Sequence, residues 1–139
     1  MIAYLDSSVV LRIVLREPRP LREWRRIRTA VASALVGVEC VRTLDRLRLR
    51  HRLDDAAVAL RREAVFRVLE GAEIVEPAGA VLARASLPFP TALGTLDAIH
   101  LATAMLWRER GSESLVVATH DEELATAARA VGLGVVGFP

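Results

Sequence analysis

Residues 2–8 read IAYLDSS, a short apolar run that ends at an aspartate followed by two serines. The apolar run is rich in strand-forming residues and predicts a strand over Ile2–Leu5. Aspartate and serine side chains accept hydrogen bonds from the first free N–H groups of a helix, so Asp6-Ser7-Ser8 predicts the start of a helix from Val9 to about Arg16. The segment therefore predicts a strand, a turn and a helix, with Asp6 at the end of the strand.

The same alternation of strands and helices continues along the chain. Short apolar runs predict four more strands, at residues 30–32, 74–75, 115–118 and 135–138. Capping residues and helical patterns predict helices that begin near Pro20, Ser33, Asp54, Pro77, Thr95 and Asp121, with Gly71 as a left-handed cap after Glu70. Short strands alternating with helices imply a mostly parallel sheet covered on both faces, so the predicted class is α/β.

Length and composition favour a single compact domain over residues 1–139. A chain of 139 residues with 53% hydrophobic side chains can bury a core without a second domain. The single cysteine, Cys40, excludes a disulfide framework and suits a reducing cytoplasm. The apolar start is interrupted by Asp6 and Arg12 and lacks a basic leader, and no later apolar run is long enough to span a bilayer. We therefore expect a cytoplasmic protein with no membrane contact.

The basic residues exclude several functions. All 19 of them are arginine, so the chain lacks the lysine that a P-loop or a Schiff-base enzyme requires. The stretch GLGVVG at residues 132–137 matches the glycine pattern of dinucleotide-binding loops, but it follows a predicted helix and runs into the last strand. We therefore expect no nucleotide cofactor.

Three acidic residues, Asp6, Glu39 and Asp97, are isolated in apolar surroundings. A carboxylate that is buried without a cation is strongly disfavoured as an ion. The carboxyl ends of parallel strands meet at one edge of a sheet, where Asp6 and Asp121 follow predicted strands and the other two acids start nearby helices. Four converging carboxylates favour Mg²⁺ or Mn²⁺ over zinc and are typical of phosphodiester hydrolysis.

Four blocks that contain these acids resemble the signature blocks of PIN-domain ribonucleases, most closely the VapC toxins of toxin–antitoxin pairs. The blocks are AYLDSSVV at residues 3–10, SALVGVE at 33–39, LDAIHLATA at 96–104 and THDEEL at 119–124. The resemblance covers essentially the whole chain. It implies a PIN-like three-layer fold, with a five-stranded parallel sheet in the order 3-2-1-4-5 and helices on both faces.

The resemblance also implies a function and a set of site residues. It implies a Mg²⁺- or Mn²⁺-dependent endoribonuclease that cuts RNA, forms a homodimer and is neutralised by a cognate VapB-like antitoxin. By position, the family's catalytic and metal-binding acids correspond to Asp6, Glu39, Asp97 and Asp121. Its supporting polar positions correspond to Ser8 and Thr119.

Three interpretations stay open from the sequence. His100 lies three residues after Asp97 on the same helical face, so it either supports the site or contacts substrate, or it is a core histidine. The arginines either contact RNA or an acidic partner or form solvated helix faces; these are Arg25, Arg26, Arg42 and Arg46. The alternative function is a non-catalytic PIN-like module that binds metal, RNA or a protein in the same pocket.

Overall fold

A single parallel sheet organises the chain. The computed structural model describes residues 1–111 and 114–138. Its strands are β1 Ile2–Leu5, β2 Thr29–Ser33, β3 Ala72–Val75, β4 Leu115–Ala118 and β5 Gly134–Val136. Neighbouring strands are parallel and lie in the order β3-β2-β1-β4-β5. The α/β class and the strand order predicted from the sequence are therefore confirmed.

Helices cover both faces of this sheet. They are α1 Ser7–Val14, α2 Leu35–Leu49, α3 Asp55–Glu70, α4 Gly79–Ala85, α5 Thr95–Arg110 and α6 Glu122–Ala130. Ala3 and Leu5 of β1 belong to a core cluster with α1, α2 and α3, whereas Tyr4 belongs to a second cluster with α5 and α6. Side chains that alternate across β1 thus supply two cores, which produces the expected three layers.

The helix predicted from Pro20 is wrong. Only a three-residue 3-10 turn forms there, at Trp24–Arg26. The segment is crowded with arginine, and Leu21 is its one fully buried apolar side chain within residues 20–28. Such a segment lacks the apolar stripe that holds an amphipathic helix against a core, so the chain crosses the surface in irregular form.

Three predicted helix caps also differ. Ser33 is the last residue of β2 and the cap position of α2 is Ala34, although the Ser33 hydroxyl accepts from Leu35 N (3.2 Å). Gly71 has φ −84°, because the chain passes directly into β3 at Ala72 instead of turning through a left-handed conformation. Thr95 is the first residue of α5, and the cap position before it is Gly94. By contrast, the capping roles of Asp54 and Asp121 are confirmed, since their carboxylates accept hydrogen bonds from Ala57 N and Leu124 N.

None of the helices within residues 1–111 and 114–138 combines the length and apolar character needed to cross a bilayer.

Candidate active site

Asp6 lies at the carboxyl end of β1 and is almost completely buried, with 4% of its surface exposed. Its backbone N–H donates to the carbonyl of Ala118 at the end of β4 (3.0 Å), which joins the two strand ends. Its Oδ2 accepts hydrogen bonds from Ser8 N (3.3 Å), Ser8 Oγ and Thr119 Oγ1 (2.9 Å). These donors compensate for the lost hydration of the carboxylate and leave Oδ1 as the oxygen that a ligand can use.

Ser8 and Thr119 connect Asp6 to the second strand end. Ser8 Oγ accepts from His120 N (2.9 Å), and Thr119 Oγ1 accepts from Asp121 N (2.9 Å). Each hydroxyl therefore donates to Asp6 while it accepts from the backbone that follows β4. This exchange fixes the loop that carries Asp121 relative to Asp6.

Asp97 lies in the first turn of α5 and is half-buried. Burial, followed by the nearby charges of Asp121, Asp6 and Glu39, raises the pKa of its carboxyl to about 6, against an opposing effect of His100. The acids thus repel one another across the carboxyl edge of the sheet. Repulsion of this kind is what a shared cation relieves.

Glu39 projects from the second turn of α2 and pairs with His100 of α5, whose Nε2 lies 2.7 Å from Glu39 Oε2. The other ring nitrogen, Nδ1, lies 2.7 Å from the hydroxyl oxygen of Tyr4. Burial lowers the pKa of His100, but the hydrogen bond to Glu39 and the surrounding carboxylates outweigh it, so the net direction is upward. Burial also raises the pKa of the Tyr4 hydroxyl, which stays protonated.

Tyr4 is the polar residue that sequence reasoning missed. It stands in an apolar strand and is fully buried, so the pattern alone indicates a core aromatic. The available signal was its hydroxyl, because a buried tyrosine hydroxyl normally requires a hydrogen-bond partner.

Asp121 ends the loop after β4 and caps α6, where its Oδ1 accepts from Leu124 N (2.8 Å). Unlike Asp6 it is exposed, and so are Glu122 and Glu123 in the following turn. Acids in this turn interact favourably with the N-terminal end of the helix dipole.

The four acids share one neighbourhood, but they are not arranged as a ready metal cage. Within the part of the chain that the structure describes, no group of three or more His, Cys, Asp or Glu side chains is placed to hold a metal ion together. One oxygen each of Asp6, Glu39 and Asp121 is engaged by a protein hydrogen bond. Mutual repulsion between the carboxylates favours separate hydrogen-bond partners for each of them. The donor atoms are nevertheless all oxygens, and such a set fits Mg²⁺ or Mn²⁺.

The arginines singled out from the sequence lie in two different places. Arg42 and Arg46 are on α2, three and seven residues after Glu39, and are therefore on its side of the helix. They bond locally, Arg42 to Asp45 (3.0 Å) and Arg46 to Thr43 (2.7 Å), and both are exposed.

Arg25 and Arg26 are also exposed but lie elsewhere. The carbonyl of Arg26 accepts a hydrogen bond from the amino group of Met1 (3.1 Å), which places this segment at the amino edge of the sheet. The structure therefore brings only the α2 pair to the helix that carries a site acid.

Comparisons with known proteins agree on the family and the fold. The sequence model of the PIN domain family matches residues 3–130. The chain is 35% identical over 136 residues to ribonuclease VapC46 of Mycobacterium tuberculosis, covering 96% of this chain and 95% of that protein.

Solved structures with low sequence identity share the fold. A toxin–antitoxin complex from Klebsiella pneumoniae superposes with a TM-score of 0.63 at 19% identity, over 96% of this chain and 95% of the other. VapBC2 from Rickettsia felis, bound to a promoter DNA fragment, gives 0.63 at 12% identity, over 97% of each chain. PAE2754 from Pyrobaculum aerophilum superposes with a TM-score of 0.59 at 15% identity, over 96% of this chain and 81% of the other.

Proposed function

This chain belongs to the PIN-domain family as a homologue of the VapC ribonuclease toxins, and from that premise we propose that it is a metal-dependent endoribonuclease. The proposed site is the acid cluster at the carboxyl edge of the sheet. Asp6, Glu39, Asp97 and Asp121 would hold Mg²⁺ or Mn²⁺ there. When bound, such an ion supplies Lewis-acid stabilisation of the charge that develops on a phosphodiester during hydrolysis.

The observation that carries this proposal is the electrostatic coupling of Asp97. Its pKa is raised to about 6 by burial and by the charges of Asp121 and Asp6, which come from different elements of the fold. Acids that only cap helices or pair with arginines have no reason to lie so close together that they repel one another and raise a pKa. The coupling supports a common ligand for these carboxylates, and a divalent cation is the ligand that compensates several negative charges at once.

The chain's own residues have distinct tasks in this proposal. Ser8 and Thr119 hold Asp6 by hydrogen bonds to Oδ2, so that its position does not depend on the ligand. The N–H of Leu124 holds Asp121 at the start of α6. Positioning of this kind reduces the reorganisation that substrate binding requires.

We further propose RNA as the substrate, with Arg42 and Arg46 of α2 contacting its phosphates. Both guanidinium groups are exposed on the side of the helix that carries Glu39. Exposed arginines can exchange their local partners for phosphate oxygens, a contact that is strongly salt-dependent.

A VapB-like antitoxin is the proposed protein partner. The solved structures that share this fold include a toxin–antitoxin complex and a VapBC2 complex. At the amino edge, a groove is lined by apolar side chains that include Val14, Trp24 and Val68 and by arginines that include Arg16 and Arg61. Such a groove is complementary to an acidic amphipathic segment. Copurification of the toxin with the product of the adjacent open reading frame, and its loss in a Trp24→Glu variant, would test this contact.

A homodimer is the proposed assembly, and the cytoplasm the proposed compartment. Large apolar side chains are exposed on and around α4 and at the start of α5, namely Leu82, Leu87 and Leu96. Exposed leucines in one region are typical of an interface between subunits. Light scattering of the wild type and of Leu82→Arg would show a dimer and a monomer, respectively. The buried thiol of Cys40 is compatible with a reducing compartment.

RNA cleavage tests the central proposal. Purified protein is incubated with cellular RNA with Mn²⁺ or with a chelator, and Asp97→Ala is compared with Glu123→Gln, an exposed acid in the turn after Asp121. We expect chelation and Asp97→Ala each to reduce cleavage at least about 100-fold. Glu123→Gln should cleave normally.

The same assay addresses the alternative function. Cleavage that survives both chelation and Asp97→Ala would contradict the proposal. Binding of Mn²⁺ and RNA without cleavage by the wild type would instead support a non-catalytic PIN-like binding module.

A further inference from the structure

A buried series of three polar side chains lies beneath the acid cluster and joins β1, α5 and α2. The hydroxyl of Tyr4 is 2.7 Å from His100 Nδ1, and His100 Nε2 is 2.7 Å from Glu39 Oε2. Tyr4 is fully buried and His100 is 1% exposed, whereas the Glu39 side chain retains 22% exposure. The series therefore begins in the core and ends at the site.

The chemistry of the groups determines which atoms donate. An ionised carboxylate only accepts, so His100 Nε2 must carry a hydrogen and donate it to Glu39. Nδ1 accepts the hydroxyl hydrogen of Tyr4 when the ring is neutral and donates to the hydroxyl oxygen when the ring is protonated. Both ring nitrogens are thus bonded inside the protein, which leaves His100 no polar atom with which to contact substrate.

Glu39 gains a defined position from this arrangement. Its side chain is long and flexible, and α2 alone does not fix where the carboxylate lies. The bond from His100 Nε2 restrains Oε2 and leaves Oε1 as the oxygen available to a metal ion. The edge-on contact between the rings of Tyr4 and His100, with centroids 6.0 Å apart, restrains the imidazole in turn.

We propose that His100 is a positioning residue for Glu39 and that Tyr4 fixes the orientation of its ring. This inference rests on the proposed function, because it assigns to His100 the placement of one of the proposed metal ligands. Groups that orient metal ligands through hydrogen bonds commonly affect metal affinity or activity by about 10- to 100-fold.

Three substitutions separate positioning from packing. His100→Ala removes the donor to Glu39, and we expect it to weaken Mn²⁺ binding about 10- to 100-fold in isothermal titration calorimetry without RNA. His100→Gln supplies an amide N–H in place of Nε2–H and should restore affinity to within about 3-fold of the wild type. Tyr4→Phe keeps the aromatic packing but removes the hydroxyl, and should weaken binding about 3- to 10-fold.

A double-mutant cycle with Glu39 provides the decisive comparison. If His100 acts through Glu39, then His100→Ala should weaken Mn²⁺ binding less than about 3-fold further in a Glu39→Ala background. A purely structural histidine would produce additive losses, and additivity would overturn the inference. Unchanged Mn²⁺ affinity in both His100→Ala and Tyr4→Phe would also overturn it, as would a folded His100→Gln that binds no better than His100→Ala.

Controls keep folding and ligand assignment separate from positioning. His51→Asn replaces an exposed histidine of the α2–α3 loop with a residue that tolerates its positive φ of 53°, and should bind Mn²⁺ normally. Should thermal melts show that His100→Ala is unfolded, His100→Gln and Tyr4→Phe carry the test. Mn²⁺ affinity that is unchanged by Glu39→Ala would overturn both the ligand assignment and this inference, whereas a loss there with none in His100→Ala overturns the inference alone.

Discussion

Two aspartates of this molecule, Asp97 at the carboxyl edge of the sheet and Asp45 on the outer face of α2, experience opposite environments. Burial and neighbouring acids raise the pKa of Asp97 to about 6. Hydrogen bonds and charges from Arg48 and Arg42 hold the pKa of Asp45 below its usual value. The residue type is the same, so the difference comes from position: one acid faces other acids in a partly dry site, and the other faces arginines in water.

The contrast separates acids gathered for a ligand from acids that balance surface charge. The acids of the first group repel one another and destabilise the metal-free protein, and binding of a cation should offset that repulsion. The second group is paired already, at distances such as 2.9 Å between Arg48 and Asp45, and should matter little to either activity or stability. The following experiments test that separation.

The largest expected effect is the loss of activity on removing Asp6. Asp6→Ala should reduce RNA cleavage at least about 100-fold, because it removes a proposed metal ligand. It should also lower the free energy of unfolding by about 1–2 kcal/mol, because Asp6 caps α1. Cleavage assays and urea unfolding measure the two effects. Asp6→Asn, which can still cap the helix, should lose the activity but little of the stability.

Charge reversal on α2 should have a smaller effect than the loss of a site acid. Arg42→Glu together with Arg46→Glu should weaken RNA binding and flatten the dependence of log Kd on log salt concentration by about one unit of slope per arginine. Fluorescence anisotropy over a range of NaCl concentrations measures the slope. As a matched control, Arg25→Glu together with Arg26→Glu changes two arginines at the amino edge and should leave the slope unchanged. Equal effects of the two pairs would remove the α2 face from the proposed RNA contact.

Asp97→Asn should stabilise the metal-free protein while it abolishes cleavage. The pKa of Asp97 is about 6 in the folded chain, above its usual 3.8, so the folded state favours the protonated form and loses stability as pH rises from about 4 to above 6. An asparagine cannot ionise and avoids this loss. At pH 8 we expect a gain of about 1–2 kcal/mol, after allowance for partial exposure of the carboxyl.

Thermal melts at pH 5 and pH 8 measure this difference. The gain should be smaller at pH 5, where Asp97 is mostly protonated already, and Mg²⁺ should stabilise the wild type more than the variant. His100, whose pKa is raised, also loses stabilising effect as pH rises in both proteins, and because the charge of Asp97 contributes to that shift, this loss should be smaller in the variant. A variant less stable than the wild type at pH 8 without metal would contradict the proposed repulsion.

The smallest expected effect is that of Asp45→Asn. Asp45 is paired on the surface of α2, where solvent and salt screen its interactions. We expect cleavage and the melting temperature to remain within the error of measurement at physiological salt. A marked loss of activity would show that the outer face of α2 belongs to the site and would remove the distinction drawn between the two aspartates.

Local patterns predicted most of the fold. The alternation of apolar runs with capped helices is a property of neighbouring residues, so the strand at residues 115–118 and the caps at Asp54 and Asp121 could be recognised directly. The form of the segment from Pro20 was predicted wrongly, because a helix there would need an apolar stripe to pack against the core and the segment has none. The left-handed cap expected at Gly71 failed because β3 begins at the next residue.

The sequence by itself determined the α/β class and distinguished Asp6, Glu39 and Asp97 as isolated acids, and its four signature blocks carried the resemblance to the family. The class follows from hydrophobic periodicity and the isolation of the three acids from their apolar neighbours, both of which are visible along the chain. Only the tertiary structure decided that Tyr4, His100 and Glu39 form one series, and that Arg42 and Arg25 lie at different edges of the sheet. The hydrogen bonds of that series join residues 96 and 61 positions apart, and such contacts depend on how strands and helices pack.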